Sequence, residues 1–220
     1  MERTPGRRRA LAAQPPEGWR YIPDLLDPVE EETLIGEVEE LPFEAVIFRG
    51  VAARRRVVHL GHRYDFEERG LTPGLPVPDR LLALRDRMAP IAGLPSDRFE
   101  EVLVTEYPPG ATIGWHRDAP AFGSSVLGVS LASACRMRFR RARDDAWETW
   151  TQTLEPRSAY LLSGAARSSW QHSIPPTPEL RYSITYRTVR KRHGHSTTAG
   201  DGGAAADGSP LPRRSASSAR

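Results

Sequence analysis

The feature that most constrains the fold is a change of sequence pattern near Arg98. Upstream of it, two segments carry the signals of amphipathic helices. Downstream of it, short runs of alternating apolar and polar residues are separated by turn-rich stretches. Such runs are typical of β-strands, and they cover residues 102–107, 126–132, 136–140, 159–162, 171–174 and 181–189. Helices followed by many strands predict an α+β protein with a sandwich or barrel core.

Both predicted helices have recognisable ends. The first begins at Asp27, which can cap the helix and is followed by a proline at the first helical position and a glutamate three residues on. It should end near Leu41. The second follows Asp79 and carries an apolar stripe near the helical period until Gly93 ends it. Both stripes indicate contacts with a core.

Composition divides the chain into three parts. Residues 1–14 are rich in arginine and are predicted to form a flexible basic N-terminus. Residues 193–220 consist largely of Gly, Ala, Ser and Pro, which bury too little apolar surface to offset the entropy of ordering, so we expect a disordered tail. The remaining residues, 15–192, have the size of a single domain.

Several classes of protein are excluded by composition. No run approaches the roughly 18 to 20 apolar residues of a membrane-spanning helix, and the N-terminus lacks the apolar core of a secretory signal. Cys135 is the only cysteine, which excludes an internal disulfide framework and a cysteine-rich zinc site. We therefore expect a cytoplasmic monomer that makes no membrane contact. The chain has 31 basic and 28 acidic residues, so its charge gives modest support to an anionic partner.

Three residues could form a metal site. His116 and Asp118 are two positions apart, so in extended backbone their side chains point to the same side. His172 lies in a strand-like segment 56 residues later. Each signal is weak alone, because His-x-Asp often occurs by chance and a histidine in an apolar strand is commonly a core residue. Together, two histidines and one carboxylate have the composition of the facial triad of non-haem iron(II) oxygenases.

The last predicted strand carries a polar face. Arg181, Ser183, Thr185 and Arg187 alternate with apolar and aromatic residues, so they share one side of the strand. One interpretation is a solvent-facing side of an antiparallel sheet. Beside a metal site, the two arginines could instead bind the two carboxylates of one dicarboxylate ligand.

Taken together, these motifs resemble the AlkB type of iron(II)- and 2-oxoglutarate-dependent dioxygenase. The resemblance rests on His116-x-Asp118, the distant His172, the pair Arg181 and Arg187, and the turn that follows Tyr107. It covers residues 98–190 well and extends more loosely from position 21. It implies a double-stranded β-helix, or jelly-roll, core with the N-terminal helices packed on one side.

The resemblance also assigns roles to residues. It implies iron ligands at His116, Asp118 and His172, which are therefore the catalytic residues, and a 2-oxoglutarate site formed by Tyr107, Arg181 and Arg187, with Thr105 and Ser183 as further contacts. Thr105 replaces the asparagine usual in the family, so one hydroxyl donor stands where an amide offers two. The implied reaction consumes 2-oxoglutarate and oxygen, hydroxylates an N-methyl group of an alkylated base, and releases succinate, carbon dioxide and formaldehyde.

The upstream segment 54–66 resembles the nucleotide-recognition lid of that family. The resemblance implies that Tyr64 and Phe66 line the base pocket and that Arg54 and Arg56 meet phosphates of single-stranded DNA or RNA. An edge hairpin with a solvated basic flank would have the same sequence pattern. Pro120 stands where the founding type has an acidic base-reading residue, and proline cannot accept a hydrogen bond from an exocyclic amine.

Two further alternatives remain open from the sequence. The same oxygenase chemistry could act on a protein side chain or a small molecule, which Pro120 permits. The chain could also be a non-catalytic nucleic-acid-binding module, since Arg136, Arg138 and Arg140 would form a basic stripe across a sheet. Such a stripe is also common on the solvated face of a strand.

Overall fold

The computed structural model of the chain describes residues 9–12, 14–48, 50–65 and 70–190. These residues form three α-helices, α1 (Pro28–Glu39), α2 (Asp79–Ala92) and α3 (Gly164–Ser168). The strands are β1 (Arg9–Ala12), β2 (Trp19–Ile22), β3 (Glu44–Phe48), β4 (Val51–Asp65), β5 (Gly70–Pro73), β6 (Phe99–Tyr107), β7 (Ile113–His116), β8 (Phe122–Leu131), β9 (Cys135–Arg143), β10 (Ala146–Leu154), β11 (Ala159–Leu162), β12 (Gln171–Ile174) and β13 (Arg181–Val189). In these ranges no helix has the length and apolar character needed to cross a membrane.

The start of α1 and the end of α2 lie where the sequence signals predict. Asp27 accepts a hydrogen bond from the backbone N–H of Glu30, and the Glu30 side chain accepts one from the backbone N–H of Asp27, which completes the capping box. Helix α1 ends at Glu39, two residues before the predicted end. Helix α2 ends at Gly93, whose φ of 66° is the left-handed conformation that glycine adopts without strain.

The strands form two sheets. The large sheet has the order β2-β11-β8-β13-β6-β4-β3, with β5 paired to β4, and the small sheet has the order β1-β10-β9-β12-β7. Pairing is antiparallel throughout these ladders except between β1 and β10. The inner faces of the two sheets share one core cluster, in which Phe139 and Leu154 of the small sheet join Val126 and Leu162 of the large one. This is the predicted jelly roll.

The other face of the large sheet carries the helices. Leu34 of α1 and Leu81 and Met88 of α2 are buried in a second cluster with Val104 and Ile184 of that sheet. Alternation on β6 and β13 therefore sends one set of side chains towards the helices and the other set between the sheets. The prediction of an α+β fold with the helices on one side of a jelly roll is confirmed.

The six predicted strands are present, and several extend further than predicted. The alternating run at 102–107 begins three residues earlier, at Phe99, and the run at 136–140 extends from Cys135 to Arg143. Upstream of Arg98, no strand was predicted at β1, β2, β3 or β5. Downstream of it, β7 and β10 were missed, because β7 is only four residues long and β10 mixes threonine and tryptophan without clean alternation. The predicted domain limits stay predictions, and residues 193–220 lie outside the described part of the chain.

Candidate active site

Strands β7 and β12 bring the two predicted histidine ligands together. His116 and His172 are direct partners in the antiparallel β7–β12 ladder, and their ring centroids are 4.2 Å apart. Asp118 follows β7, and its Oδ2 lies 4.0 Å from Nε2 of His172. Residues that are 56 positions apart in sequence thus converge because β12 pairs with the short edge strand that ends at His116.

Both imidazoles are held in the neutral form that binds metals. Nδ1 of His116 lies 2.9 Å from the carbonyl oxygen of Gly114, so Nδ1–H donates there and Nε2 carries the lone pair. Burial lowers the pKa of His116. For His172, burial and then the neighbouring His116 lower the pKa to about 3. Neither histidine should be protonated near neutral pH, and both can act as ligands.

Asp118 is buried but ionised. Its Oδ1 accepts a hydrogen bond of 3.1 Å from Nε of Arg187, whereas Oδ2 is buried and has no hydrogen-bond partner in the described part of the chain. Burial alone would raise the pKa of this carboxyl group, but its neighbours, Arg187 first and then His172 and Arg167, hold that pKa well below its usual range. A buried carboxylate oxygen without a partner is costly unless a cation completes it.

These donors fit an iron(II) ion in composition and in charge. Two neutral imidazoles and one carboxylate are the ligand set of non-haem iron(II) centres. Among the described residues, no three His, Cys, Asp or Glu side chains are already as close together as a bound metal requires. Neighbouring ligands of one ion lie roughly 3 Å apart, so the 4.0 Å between His172 and Asp118 must shorten on binding.

Arg181 places a second unsatisfied charge between the sheets. The residue is fully buried, and its Nη2 donates to Oγ of Ser130 at 2.7 Å. Its guanidinium lies over the ring of Tyr107, 5.1 Å from the centroid. Nε and Nη1 are buried and have no hydrogen-bond partner among the residues that the structure describes. A buried guanidinium with two vacant donors is a binding site for a carboxylate.

The other predicted 2-oxoglutarate contacts lie beside Arg181. In the β6–β13 ladder, Tyr107 is the partner of Arg181 and Thr105 is the partner of Ser183. Tyr107, Thr105 and Ser183 are all buried. Burial raises the pKa of Tyr107, although Arg181 opposes the effect, so the phenol stays protonated. The structure thus gathers these four side chains on one face, and their contact with 2-oxoglutarate stays a prediction.

Arg187 occupies a different position from Arg181. Its Nε donates to Asp118, and its Nη1 donates to both carboxylate oxygens of Glu101 at 3.2 and 2.9 Å. Burial tends to lower the pKa of Arg187, but Glu101 and Asp118 raise it further, so the group is permanently charged. Two of its three nitrogens are therefore committed to carboxylates of the chain itself. Its predicted contact with 2-oxoglutarate is untested, while its support of Asp118 is direct.

The predicted lid is described only in part. Arg54 lies on β4 with its guanidinium against Gly110, and Arg56 pairs with Glu106 on the helix-facing side of the large sheet. The backbone of Tyr64 belongs to β4, and Phe66 lies outside the described residues. Arg55, which the sequence analysis did not select, faces the other way and donates to the carbonyl of Thr112 at 3.3 Å. The roles of Arg54, Arg56, Tyr64 and Phe66 in substrate binding stay predictions.

A family comparison identifies the chemistry of this site. The model of the 2OG-Fe(II) oxygenase superfamily matches residues 18–190. The chain belongs to the 2OG-Fe(II) oxygenase superfamily. This oxygenase is therefore a 2-oxoglutarate-dependent dioxygenase that uses iron(II), 2-oxoglutarate and oxygen, as predicted.

Individual relatives confirm the resemblance to AlkB-type enzymes. The chain is 29% identical over 185 residues to the Alkylated DNA repair protein ALKBH8 homolog of Arabidopsis thaliana, which covers 72% of the chain and 51% of that protein. It is 28% identical over 152 residues to the Probable RNA/DNA demethylase ALKBH6 of Danio rerio, over 65% of the chain and 58% of that protein. The oxygenase thus spans about half the length of these curated relatives. The structure of OsALKBH1 has the same fold, with a TM-score of 0.60 and 16% identity over 80% of the chain and 98% of that structure.

Sequence reasoning missed three residues near the candidate site: the buried Glu101 and Tyr160 and the half-buried Arg167. Glu101 binds Arg187, and alternation could have found it, because it shares a face of β6 with Thr105 and Tyr107. Arg167 of α3 donates to the carbonyl oxygens of residues 118, 119 and 122 and so braces the loop that follows β7. Tyr160 lies over Gly128, where a Cβ would overlap its ring. No local signal distinguishes Arg167 or Tyr160 from ordinary surface and core residues.

Proposed function

We propose that this oxygenase oxidatively demethylates alkylated bases in single-stranded DNA or RNA. The observation that carries the proposal is the pair of unsatisfied buried groups between the sheets. At one, Asp118 Oδ2 lacks a partner beside two neutral histidines, and at the other, Nε and Nη1 of Arg181 lack an anion. A metal ion and one carboxylate of 2-oxoglutarate complete these groups.

The nucleic-acid substrate is supported by relatives and by charge. Two relatives carry names that refer to alkylated DNA repair and to RNA/DNA demethylation. Arg54 and Arg55 place positive charge on the lid strand β4, next to the start of the metal-binding strand. A phosphate backbone is the polyanion that such a surface attracts. Pro120 is exposed in the loop after Asp118 and accepts no hydrogen bond through a side chain, so base recognition must come from other residues.

The side chains of the candidate site would have separate roles in binding the metal and 2-oxoglutarate. When bound, iron(II), 2-oxoglutarate and oxygen supply the oxidation that hydroxylates an N-methyl group, with succinate and carbon dioxide as products and formaldehyde lost from the hydroxymethyl base. His116, Asp118 and His172 would hold the metal, and the lowered pKa values keep all three unprotonated. Arg181 would bind the far carboxylate of 2-oxoglutarate, with the ring of Tyr107 against its guanidinium.

A coupled assay tests the proposal. Purified protein is incubated with iron(II), ascorbate and 2-oxoglutarate, with oligonucleotides that carry N-methylated adenine or cytosine in single-stranded DNA or RNA. We expect one methylated oligonucleotide to stimulate succinate formation and to release formaldehyde in equal amount. His116→Ala should reduce both products at least a hundredfold, because it removes one of three ligands.

The control variant is Arg80→Gln. Arg80 lies on α2, where its Nε is 3.2 Å from Oε2 of Glu37, and it belongs neither to the proposed ligands nor to the predicted lid. This variant should keep both products. Succinate without formaldehyde from any oligonucleotide would contradict demethylation and favour a protein or small-molecule substrate. Absence of succinate under every condition would contradict the assigned site residues and favour a binding module.

A further inference from the structure

The outer face of the small sheet carries a cluster of arginine and tryptophan side chains that the proposed chemistry does not use. Arg138 and Arg140 project from β9, Trp115 from β7 and Trp147 from β10. We call these four residues the arginine–tryptophan surface. It lies on the opposite face of the small sheet from His116 and His172, because Trp115 and His116 are consecutive residues of one strand.

The tryptophans hold the guanidinium faces. Arg140 lies 4.4 Å from the ring centroid of Trp115 and 4.4 Å from that of Trp147. Arg138 lies 5.1 Å from the centroid of Trp115. Stacking on indole fixes the plane of a guanidinium and leaves its edge available for hydrogen bonds. Both arginines are therefore ordered before any ligand arrives.

Strand β12 fixes one donor of each guanidinium. Nε of Arg140 donates to the side-chain oxygen of Gln171 at 2.8 Å, and Nε of Arg138 donates to Oγ of Ser173 at 3.2 Å. Neither arginine has a carboxylate partner among the described residues, and their terminal amines make no hydrogen bond there. Burial and then the charge of Arg138 lower the pKa of Arg140, which shows that the two cations act on each other. Two adjacent, oriented and unneutralised guanidinium edges suit a pair of phosphates.

The surface adjoins the edge strand that carries His116. Strand β7 ends the order of the small sheet, and it carries Trp115 on its outer face and His116 on its inner face. Arg55 of the lid strand donates to Thr112 just before β7. Arg140 and Trp147 of the surface also line a cleft of about 440 Å³ together with Arg117. A nucleic-acid strand that places one nucleotide at the proposed metal centre can therefore cross β7 and continue over Arg138 and Arg140.

We propose that the arginine–tryptophan surface binds the phosphodiester backbone of the single strand that flanks the reactive nucleotide. Phosphates contact the terminal amines of Arg138 and Arg140, and the two tryptophans hold these amines in place. This inference rests on the proposed function, since it concerns the same nucleic acid. The bound nucleic-acid strand crosses the edge of the small sheet at Trp115 of β7, the last strand in that sheet's order.

Fluorescence anisotropy with an unmodified oligonucleotide tests the surface. The full-length protein, with Mn(II) and 2-oxoglutarate, is titrated into a fluorescein-labelled single-stranded oligothymidylate of twelve nucleotides at several salt concentrations. Each phosphate contact contributes about 0.7 to the slope of log K against log salt for single strands. Arg138→Gln/Arg140→Gln should lower the slope by about 1.4 and weaken binding roughly tenfold or more at low salt.

Two variants act as controls. Arg80→Gln/Arg87→Gln removes the same charge from α2, which packs against the other sheet and where these arginines already pair with Glu37 and Glu30. It should leave the slope unchanged. Arg138→Lys/Arg140→Lys keeps the charge but loses the planar stack, so the slope should persist while binding weakens several-fold.

The outcomes separate this inference from the proposed function. Wild-type demethylation together with an unchanged slope in Arg138→Gln/Arg140→Gln overturns the role of the surface and leaves the proposed function intact. A wild-type protein that neither binds nor demethylates oligonucleotides overturns both. If Arg138→Gln/Arg140→Gln does not fold, Trp147→Leu replaces it, and it should weaken oligothymidylate binding roughly 5- to 100-fold. Unchanged binding in that variant overturns the surface as well.

Discussion

At the residue scale, Arg181 is predicted to bind 2-oxoglutarate but should lower the stability of the unliganded fold. Its guanidinium is fully buried, with one hydrogen bond and no carboxylate partner in the described part of the chain. Removing an unpaired buried charge often stabilises a fold. We expect Arg181→Met to raise the free energy of unfolding of the metal-free protein by about 1–3 kcal/mol, measured by urea denaturation.

Arg157→Met is the matched comparison for Arg181. Arg157 pairs with the buried carboxylate of Glu31 at 2.9 Å, so its removal leaves that acceptor unsatisfied. This substitution should lower the free energy of unfolding by about 1–3 kcal/mol. A similar loss in both variants would mean that Arg181 is already satisfied within the fold.

Glu101 is a second residue whose role follows from its partner. It is fully buried and receives two hydrogen bonds from Arg187, which in turn binds Asp118. Glu101→Gln leaves the charge of Arg187 with one carboxylate in place of two. We expect the free energy of unfolding to fall by about 3–5 kcal/mol in denaturation experiments.

The control for Glu101 is Glu44→Gln. Glu44 is exposed and lies 3.4 Å from the exposed Arg63, a pair that should contribute little. An equally small effect at Glu101 would show that water reaches Arg187 when the partner is lost.

Site residues could be predicted from the sequence where alternation and spacing act together. Thr105 and Tyr107 were placed on one face of their strand, and the structure has them there, opposite Ser183 and Arg181. Glu101 obeys the same rule but was omitted, because a lone glutamate in a strand usually faces solvent. Its burial depends on Arg187 in the neighbouring strand, a contact that only the fold creates.

At the element scale, β8 illustrates how a strand adapts to its neighbour. Gly128 lies under the ring of Tyr160 in the adjacent β11, and a Cβ there would overlap the ring. Gly128→Ala should therefore lower the free energy of unfolding by about 1–3 kcal/mol, because either the ring or the strand must move. Thermal denaturation measures the effect.

Helix α1 supplies the opposite case for the same substitution. A Cβ at Gly36 meets nothing within 4 Å. Gly36→Ala should raise the free energy of unfolding by about 0.5–1 kcal/mol, because alanine is the better helix former. Stabilisation by both alanines would show that β8 has room beneath Tyr160.

Elements with strong local signals were predictable, and short ones were not. The capping box at Asp27 and Glu30 fixed the start of α1, whose first turn the structure reproduces. Strand β7 has only four residues, and its place at the edge of the small sheet depends on pairing with β12, far along the chain. Because that pairing is non-local, no window of sequence contains it.

At the scale of the whole molecule, the two faces of the large sheet have different roles. Tyr186 of β13 donates to a backbone carbonyl of α2 at 2.9 Å, while the neighbouring Arg187 reaches Asp118 on the other face. One face therefore anchors the helices and the other faces the candidate site. Ligands that bind between the sheets should stabilise the entire fold, since they bind only its native arrangement.

The midpoint of thermal unfolding should therefore rise once with each added ligand. Adding Mn(II), and then 2-oxoglutarate, each at about 100 times its Kd, should raise the midpoint by roughly 5–10 °C per ligand. His172→Ala should lose both increments, whereas Arg181→Met should keep the increment from the metal and lose the one from 2-oxoglutarate. A full 2-oxoglutarate increment in Arg181→Met would contradict the assignment of that arginine.

Because His116 pairs directly with His172, the amount of bound metal should depend on the correct register between β7 and β12. If β12 slipped by one residue, His172 would turn to the outer face, and Gln171 or Ser173 would take its place between the sheets. Neither an amide nor a hydroxyl replaces the imidazole, so such a molecule could keep most of its core and bind no ion. With the proposed ligand assignment, the ratio of bound metal to polypeptide would therefore count the correctly paired molecules in a preparation.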